Sequence, residues 1–120
     1  MHDRLTFLII ETEPQHGIST RRLLLENARH NVLTAYSGAE GLRLFGAHPV
    51  DAVVVDSRIG DLECRDIARQ MKHSRPATPI IALSPVAGTP DEICKAADHV
   101  HPTFDPTGLL RLLEQVAGGA

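Results

Sequence analysis

The chain has 120 residues, of which 42% are hydrophobic and 22% charged, with 15 acids against 12 bases and a formal charge of −3. That is about one domain's worth of chain with an ordinary globular composition. The acid excess gives no basic footprint for nucleic acid, and four aromatics (Phe7, Tyr36, Phe45, Phe104) make no stacking platform for single strands. The longest apolar stretch, Leu5–Ile10, is far too short for a membrane span and lacks the flanks of a signal peptide. Two cysteines, Cys64 and Cys94, exclude a disulfide-scaffolded fold. The expectation is a single soluble cytoplasmic domain over residues 1–120, with 1–4 and 118–120 as frayed ends.

In chain order, the apolar run Leu5–Ile10 predicts a first strand. Thr12-Glu13-Pro14-Gln15 has capping-box spacing and predicts the start of a helix, with Thr12 as N-cap and Ile18, Leu24, Leu25 and Ala28 on its core face. Val32–Ala35 predicts strand two. Ser37-Gly38-Ala39-Glu40 repeats the capping box before a helix with Ala39, Leu42 and Phe45 inward. Ala52–Val55 is a continuous apolar run, as a central strand buried on both faces requires. A third helix follows with Cys64, Ile67, Ala68 and Met71 inward, Cys64 being read as a buried small hydrophobe. Ile80–Leu83 predicts strand four. Thr89-Pro90-Asp91-Glu92 is a third capping box, opening a weak helix over 91–97 whose apolar residues are Ile93, Ala96 and Ala97. A weaker strand lies around Val100, and Asp105-Pro106 caps a last helix carrying Leu109, Leu110, Leu113 and Val116. Strand and helix alternate throughout, which predicts a (βα)5 α/β fold. Its parallel five-stranded sheet takes the order 2-1-3-4-5, with helices on both faces in a three-layer sandwich.

Sites in such sheets form beyond the carboxyl ends of the strands. Strand one runs into Glu11, Thr12 and Glu13, strand three ends at Asp56, strand four at Ser84, and strand five near His101. Clustered carboxylates are hard oxygen ligands for Mg²⁺, which is held by one or two of them plus a substrate phosphate. The cation also makes a carboxylate a workable phosphoryl acceptor by screening the repulsion between two anions. No nucleophile elbow, P-loop or dinucleotide loop occurs. His99-x-His101 with Cys94 nearby is read as a polar edge strand, and Arg21, Arg22 and Arg29 as solvated on the first helix.

The pieces Phe7-Leu-Ile-Ile-Glu-Thr-Glu-Pro14, Ser37-Gly-Ala-Glu-Gly-Leu42, Asp51-Ala-Val-Val-Val-Asp56, Pro79-Ile-Ile-Ala-Leu-Ser84 and Phe104-Asp-Pro106 occur in this order along nearly the whole chain. Together they resemble a bacterial two-component response regulator receiver domain, whose fold is flavodoxin-like. The resemblance implies that Asp56 is the phospho-acceptor, Ser84 the hydroxyl that senses the phosphoryl group, and Glu11 the first of an acidic pair. Glu11 and Asp56 would then hold Mg²⁺, with Thr12 or Glu13 in support. It further implies a sensor histidine kinase or phosphotransfer protein as phosphodonor, an output domain or partner protein, and a homodimer through the face of helix four, strand five and helix five. Neither nucleic acid nor a membrane is expected as a direct partner.

The departures from the family are equally specific. The second acidic position holds Thr12, which predicts weak or absent Mg²⁺ binding. The family's Lys-Pro at the end of strand five is missing: aligned back from Phe104, the lysine falls on Pro102. A slip of one residue instead sets His101-Pro102 there, with His101 standing in for the lysine and a cis proline kept. The aromatic switch position falls on His99 or Asp98. The Pro and Gly that usually follow the acceptor are replaced by Gly60 and Cys64. Two functions are therefore carried forward: a phosphoryl-accepting, non-enzymatic signalling module, and a phosphorylation-independent pseudo-receiver acting as a constitutive interaction module. A flavodoxin-like cofactor binder shares the topology, but Glu11 and Glu13 would repel a cofactor phosphate.

Overall fold

The computed structural model describes residues 4–15, 17 and 19–118. Five strands, β1 (Thr6–Ile10), β2 (Asn31–Ala35), β3 (Ala52–Asp56), β4 (Ile80–Ser84) and β5 (His99–Pro102), form one parallel sheet in the order β2-β1-β3-β4-β5. Five helices alternate with them: α1 (Thr20–Asn27), α2 (Gly38–Ala47), α3 (Cys64–Ser74), α4 (Pro90–Ile93) and α5 (Pro106–Ala117). This is the expected three-layer, flavodoxin-like architecture. Among the described residues no helix is long and apolar enough to cross a membrane.

Every residue of β3 and β4 is buried, which explains their unbroken apolar sequences. Successive side chains point to opposite faces and build two cores. Leu8, Ile10, Val53, Val55, Ile80 and Ala82 pack with Phe45, Ile67 and Met71 on one side. Phe7, Ile9, Val54, Ile81 and Leu83 pack with Leu25, Leu109 and Leu113 on the other. His30 joins the second layer: Leu5 N donates to its Nδ1 (3.1 Å), and Nε2 pairs with Glu114 Oε2 on α5 (2.8 Å). An Nδ1 that accepts is unprotonated, so the ring proton is on Nε2 and donates to Glu114.

Helix starts differ from expectation in instructive ways. Thr12 caps no helix; it is exposed in the loop after β1, and α1 begins eight residues later at Thr20, capped by Ser19, whose Oγ accepts from Arg22 N (3.2 Å). Gly17 lies between them at φ +71°, a left-handed conformation that a right-handed helix cannot contain. Ile18, assigned above to the core face of this helix, lies outside the described residues. At α2, Ser37 Oγ accepts from Glu40 N as its spacing implies. The other two leading N–H groups, of Gly38 and Ala39, donate to the two carboxylate oxygens of Asp61 (2.7 and 3.0 Å). Ala39 is exposed; Gly38, Gly41 and Phe45 face inward, because a β-carbon at Gly41 would run into the Ile10 side chain.

The capping box at α4 is complete, Thr89 Oγ1 accepting from Glu92 N and Thr89 N donating to Glu92 Oε1. The helix nevertheless stops after one turn instead of running to residue 97. Cys94 is extended, and Ala96 adopts φ +79°. The reading of Cys64 as an unpartnered hydrophobe is also corrected: Cys64 is buried, and it forms a disulfide with Cys94. No peptide bond among the described residues is cis, so the cis proline at Pro102 is absent. Of the terminal residues that fall in the described part, Arg4 Nε donates to Arg29 O (2.8 Å) and Gly118 N to Glu114 O (2.9 Å).

Candidate functional site

Because β1, β3 and β4 are neighbours, their carboxyl ends lie side by side. Glu11 follows β1, Asp56 ends β3, and Ser84 ends β4, and all three are buried (2%, 2% and 3% exposed). A carboxylate so far out of water needs compensation, and here arginine supplies it.

Asp56 Oδ1 accepts from the backbone N of Arg58 at 2.9 Å and lies 3.4 Å from Arg58 Nε. The Arg58 side chain is about half exposed, so this is a light contact from a mobile-length chain at the mouth of the site. Glu11 Oε1 accepts from Arg21 Nη1 at 3.2 Å, and Arg21 Nη2 donates to Thr103 O at 3.0 Å. Arg21 therefore joins the end of β1 to the segment after β5. The reading of Arg21 as a solvated residue of α1 is corrected: its side chain is 20% exposed and turned onto the sheet edge. Glu11 Oε2 and Thr103 Oγ1 are buried and unpartnered. Both residues line a cavity of about 380 Å³ together with Thr12, Ser19, Arg21 and Phe104.

Ser84 Oγ donates to Val86 O (2.7 Å) and accepts from Val86 N (3.1 Å), closing a turn within its own loop. Thr12 and Glu13 are exposed. His101 pairs in register with Leu83, while Pro102 pairs with Ser84. The His101 Nε2 contacts Asp105 O at 3.0 Å and stands 3.5 Å from Asp105 Oδ2, so the ring is committed to the head of α5. That placement gives His101 a structural part and does not support its expected role as the replacement for the lysine. Sequence reasoning missed both arginines. For Arg58 a signal existed, a cation two residues after the acceptor candidate. For Arg21 there was none, because its helix was expected to begin further upstream.

Nearby, Asp61 is held below the ordinary carboxylate range by the N–H groups of Gly38 and Ala39, and Glu92 by Thr89. Both are exposed capping acids outside the crevice.

Mg²⁺ characteristically takes one or two carboxylates and completes its shell with phosphate and water. Glu11 and Asp56 are two buried carboxylates on adjacent strand ends, and Oε2 of Glu11 is a buried acceptor without a partner. Among the described residues no group of three His, Cys, Asp or Glu side chains is placed to hold a metal. The donor set fits a cation that binds through two carboxylates and an incoming phosphate. It does not fit a protein-only cage.

The sequence profile of the response regulator receiver domain matches residues 7–102. Transcriptional regulatory protein GlrR of Escherichia coli K12 is 28% identical over 92 residues, covering 77% of this chain and 20% of that protein. Cell cycle response regulator CtrA of Brucella ovis is 31% identical over 71 residues, covering 59% of this chain and 31% of that protein. The chain thus spans about a fifth to a third of the curated relatives it matches. Among solved structures, the receiver domain of sensor histidine kinase PA1611 from Pseudomonas aeruginosa superimposes with a TM-score of 0.83 at 22% identity. The match covers 98% of this chain and all of that one, and that structure has a magnesium ion coordinated in its active-site cleft. Response regulator TrrA from Thermotoga maritima, solved with Mg²⁺ and BeF, gives 0.76 at 21% identity over 93% of this chain and 98% of that one. With strand order, helix placement and a matched profile over most of its length in agreement, the chain belongs to the response regulator receiver domain family.

Proposed function

We propose that this domain, spanning residues 1–120, is a cytoplasmic phosphorelay module that accepts a phosphoryl group on Asp56. The donor is a sensor histidine kinase or a phosphotransfer protein. The observation that carries this reading is the burial of Asp56 at the carboxyl end of β3, beside Glu11 and Ser84 on adjacent strand ends. In the transfer, an Asp56 carboxylate oxygen attacks phosphorus as the donor's N–P bond breaks; the donor's phosphoimidazole, protonated on its other ring nitrogen, leaves as a neutral imidazole, and an acyl phosphate forms on the domain. Glu11 and Asp56 are the residues that would hold Mg²⁺, weakly, since Thr12 replaces the second acid. When bound, the cation screens the repulsion between the two anions.

The chain's own groups have defined parts. Arg58 is exposed enough to leave Asp56 Oδ1 and follow the new phosphate oxygens. Ser84 must give up its two bonds to Val86 to reach the phosphoryl group, which releases the loop leading into α4. The altered surface of α4, β5 and α5 would be read by an output domain, a partner protein or a second copy. The domain is a substrate of phosphotransfer and a signalling module, not an enzyme.

A second reading, the pseudo-receiver, is favoured by a specific observation: both buried acids already carry a guanidinium partner. Incubation with acetyl phosphate and Mg²⁺ separates the two. A mass gain of one phosphoryl group, absent in Asp56→Asn, supports the first. No gain in mass, with amide spectra unmoved by beryllofluoride, supports the second.

A further inference from the structure

Cys64 is the first residue of α3, and Cys94 is the residue on which α4 ends. Their Cα atoms are 5.5 Å apart, and the disulfide between them closes a loop that contains α3, β4 and α4. The two residues are 5% and 1% exposed. Cys64 also lines a cavity of about 450 Å³ between the loop after β3 and the α4 segment, and Cys94 does not.

What the bond holds is a short segment. α4 is a single turn with no buried residue of its own. Behind it, Ala97 N donates to Cys94 O, and the turn so closed keeps Ala96 in the left-handed region that a β-carbon disfavours. The segment is anchored through Cys94 and Ala97 in the core, with Ile93 packed against it, while the turn itself buries nothing, so a covalent tie at Cys94 acts where local order is lowest.

We propose that Cys64 and Cys94 are a reversible redox-modification site, and that oxidation clamps α4 onto α3. In compartments where thiols are kept reduced, disulfides are transient and redox-sensing, not scaffolding, which agrees with a domain that needs no staple for its core. Cys64 is the attacking thiol, since it lines the cavity and Cys94 does not. The Cys64 thiolate attacks a small disulfide such as glutathione disulfide, forming a mixed disulfide and releasing one glutathione thiolate. The Cys94 thiol loses its proton and attacks the Cys64 sulfur, forming the buried bond and releasing the second thiolate. Two electrons pass from the cysteines to the small disulfide, and the two protons lost by the cysteines end on the two glutathione thiols. A dithiol reverses the sequence. This proposal stands apart from phosphotransfer, and its test requires none.

The 120-residue chain is equilibrated in glutathione buffers from reducing to oxidising, acid-quenched, alkylated and weighed, and hydrogen exchange is followed on the two end states and on a Cys64→Ser/Cys94→Ser variant. The expected result is one cooperative two-electron transition between two alkylated thiols and none. Exchange at the amides of Ile93, Cys94 and Ala97, which donate to Thr89 O, Pro90 O and Cys94 O, should be about tenfold or more faster in the reduced form, with the central strands unchanged. The serine variant should match the reduced protein. Persistent glutathione adducts on either cysteine, equal exchange over 85–98 in both states, or loss of protection throughout the sheet on reduction would each overturn it. Reduced wild type gives the same readout should the variant not fold.

Discussion

Arg21 on α1 holds Glu11 at the end of β1 and, with its other terminal nitrogen, the carbonyl of Thr103 after β5. One guanidinium thereby links the end of β1 to the segment after β5 and pairs with a buried acid. Glu11 has only 3% of its side chain exposed, and Arg21 is the cation that contacts it.

Arg21→Gln should destabilise the domain by about 1–3 kcal/mol, the cost of leaving a buried charged acceptor short of its donor. Denaturant unfolding checks this. The same variant should bind Mg²⁺ more tightly than the wild type, because the cation no longer competes with a guanidinium for Glu11; amide-shift titration reads the affinity. An unchanged Mg²⁺ affinity would show that Arg21 does not guard the acid.

Arg58→Ala should leave stability nearly alone, within about 1 kcal/mol, because the guanidinium is half exposed and its ion pair with Asp56 is screened. Phosphorylation by acetyl phosphate should slow if Arg58 follows the phosphoryl oxygens. The rate of mass gain measures it, and equal rates would remove Arg58 from the reaction.

Asp61 caps α2 from the loop after β3, and the Gly38 and Ala39 N–H groups favour its ionised form. Its folded value lies below its unfolded one, so its contribution is fully present above the ordinary range near about 4 and is lost as pH falls through the depressed folded value. Asp61→Asn should therefore be less stable than wild type at neutral pH, and the gap should close in acid below that range. Urea midpoints at a series of pH values test the sign; a gap that widens on acidification contradicts it.

Gly41→Ala should cost about 1–3 kcal/mol, since the fully buried Ile10 side chain, or α2 itself, must shift to make room. Gly46→Ala on the same helix meets nothing within 4 Å and should be neutral or slightly stabilising. Paired thermal unfolding of the two variants distinguishes close packing from a general effect of glycine replacement.

Period and punctuation in the sequence were enough for the strand order, both core faces, and the positions of Asp56, Glu11 and Ser84 at adjacent strand ends. Continuous apolar runs of four to six residues, bounded by turn signals and alternating with helical spacing, read as buried strands of a parallel sheet, and local capping signals such as Thr89 and Asp105 report interactions three residues away. What the sequence left open was every relation between residues far apart in the chain. The N-terminus of α2 is capped across 23 residues by Asp61. Arg21 reaches 82 residues to Thr103, and Cys64 finds Cys94 across 30. Thr12 carried a valid capping pattern, yet the left-handed turn at Gly17 moved the helix start to Ser19. Such pairings depend on which side chains the folded sheet brings to one edge. A charge or a thiol takes whichever partner lies within about 3–4 Å of it, and only tertiary structure sets that distance.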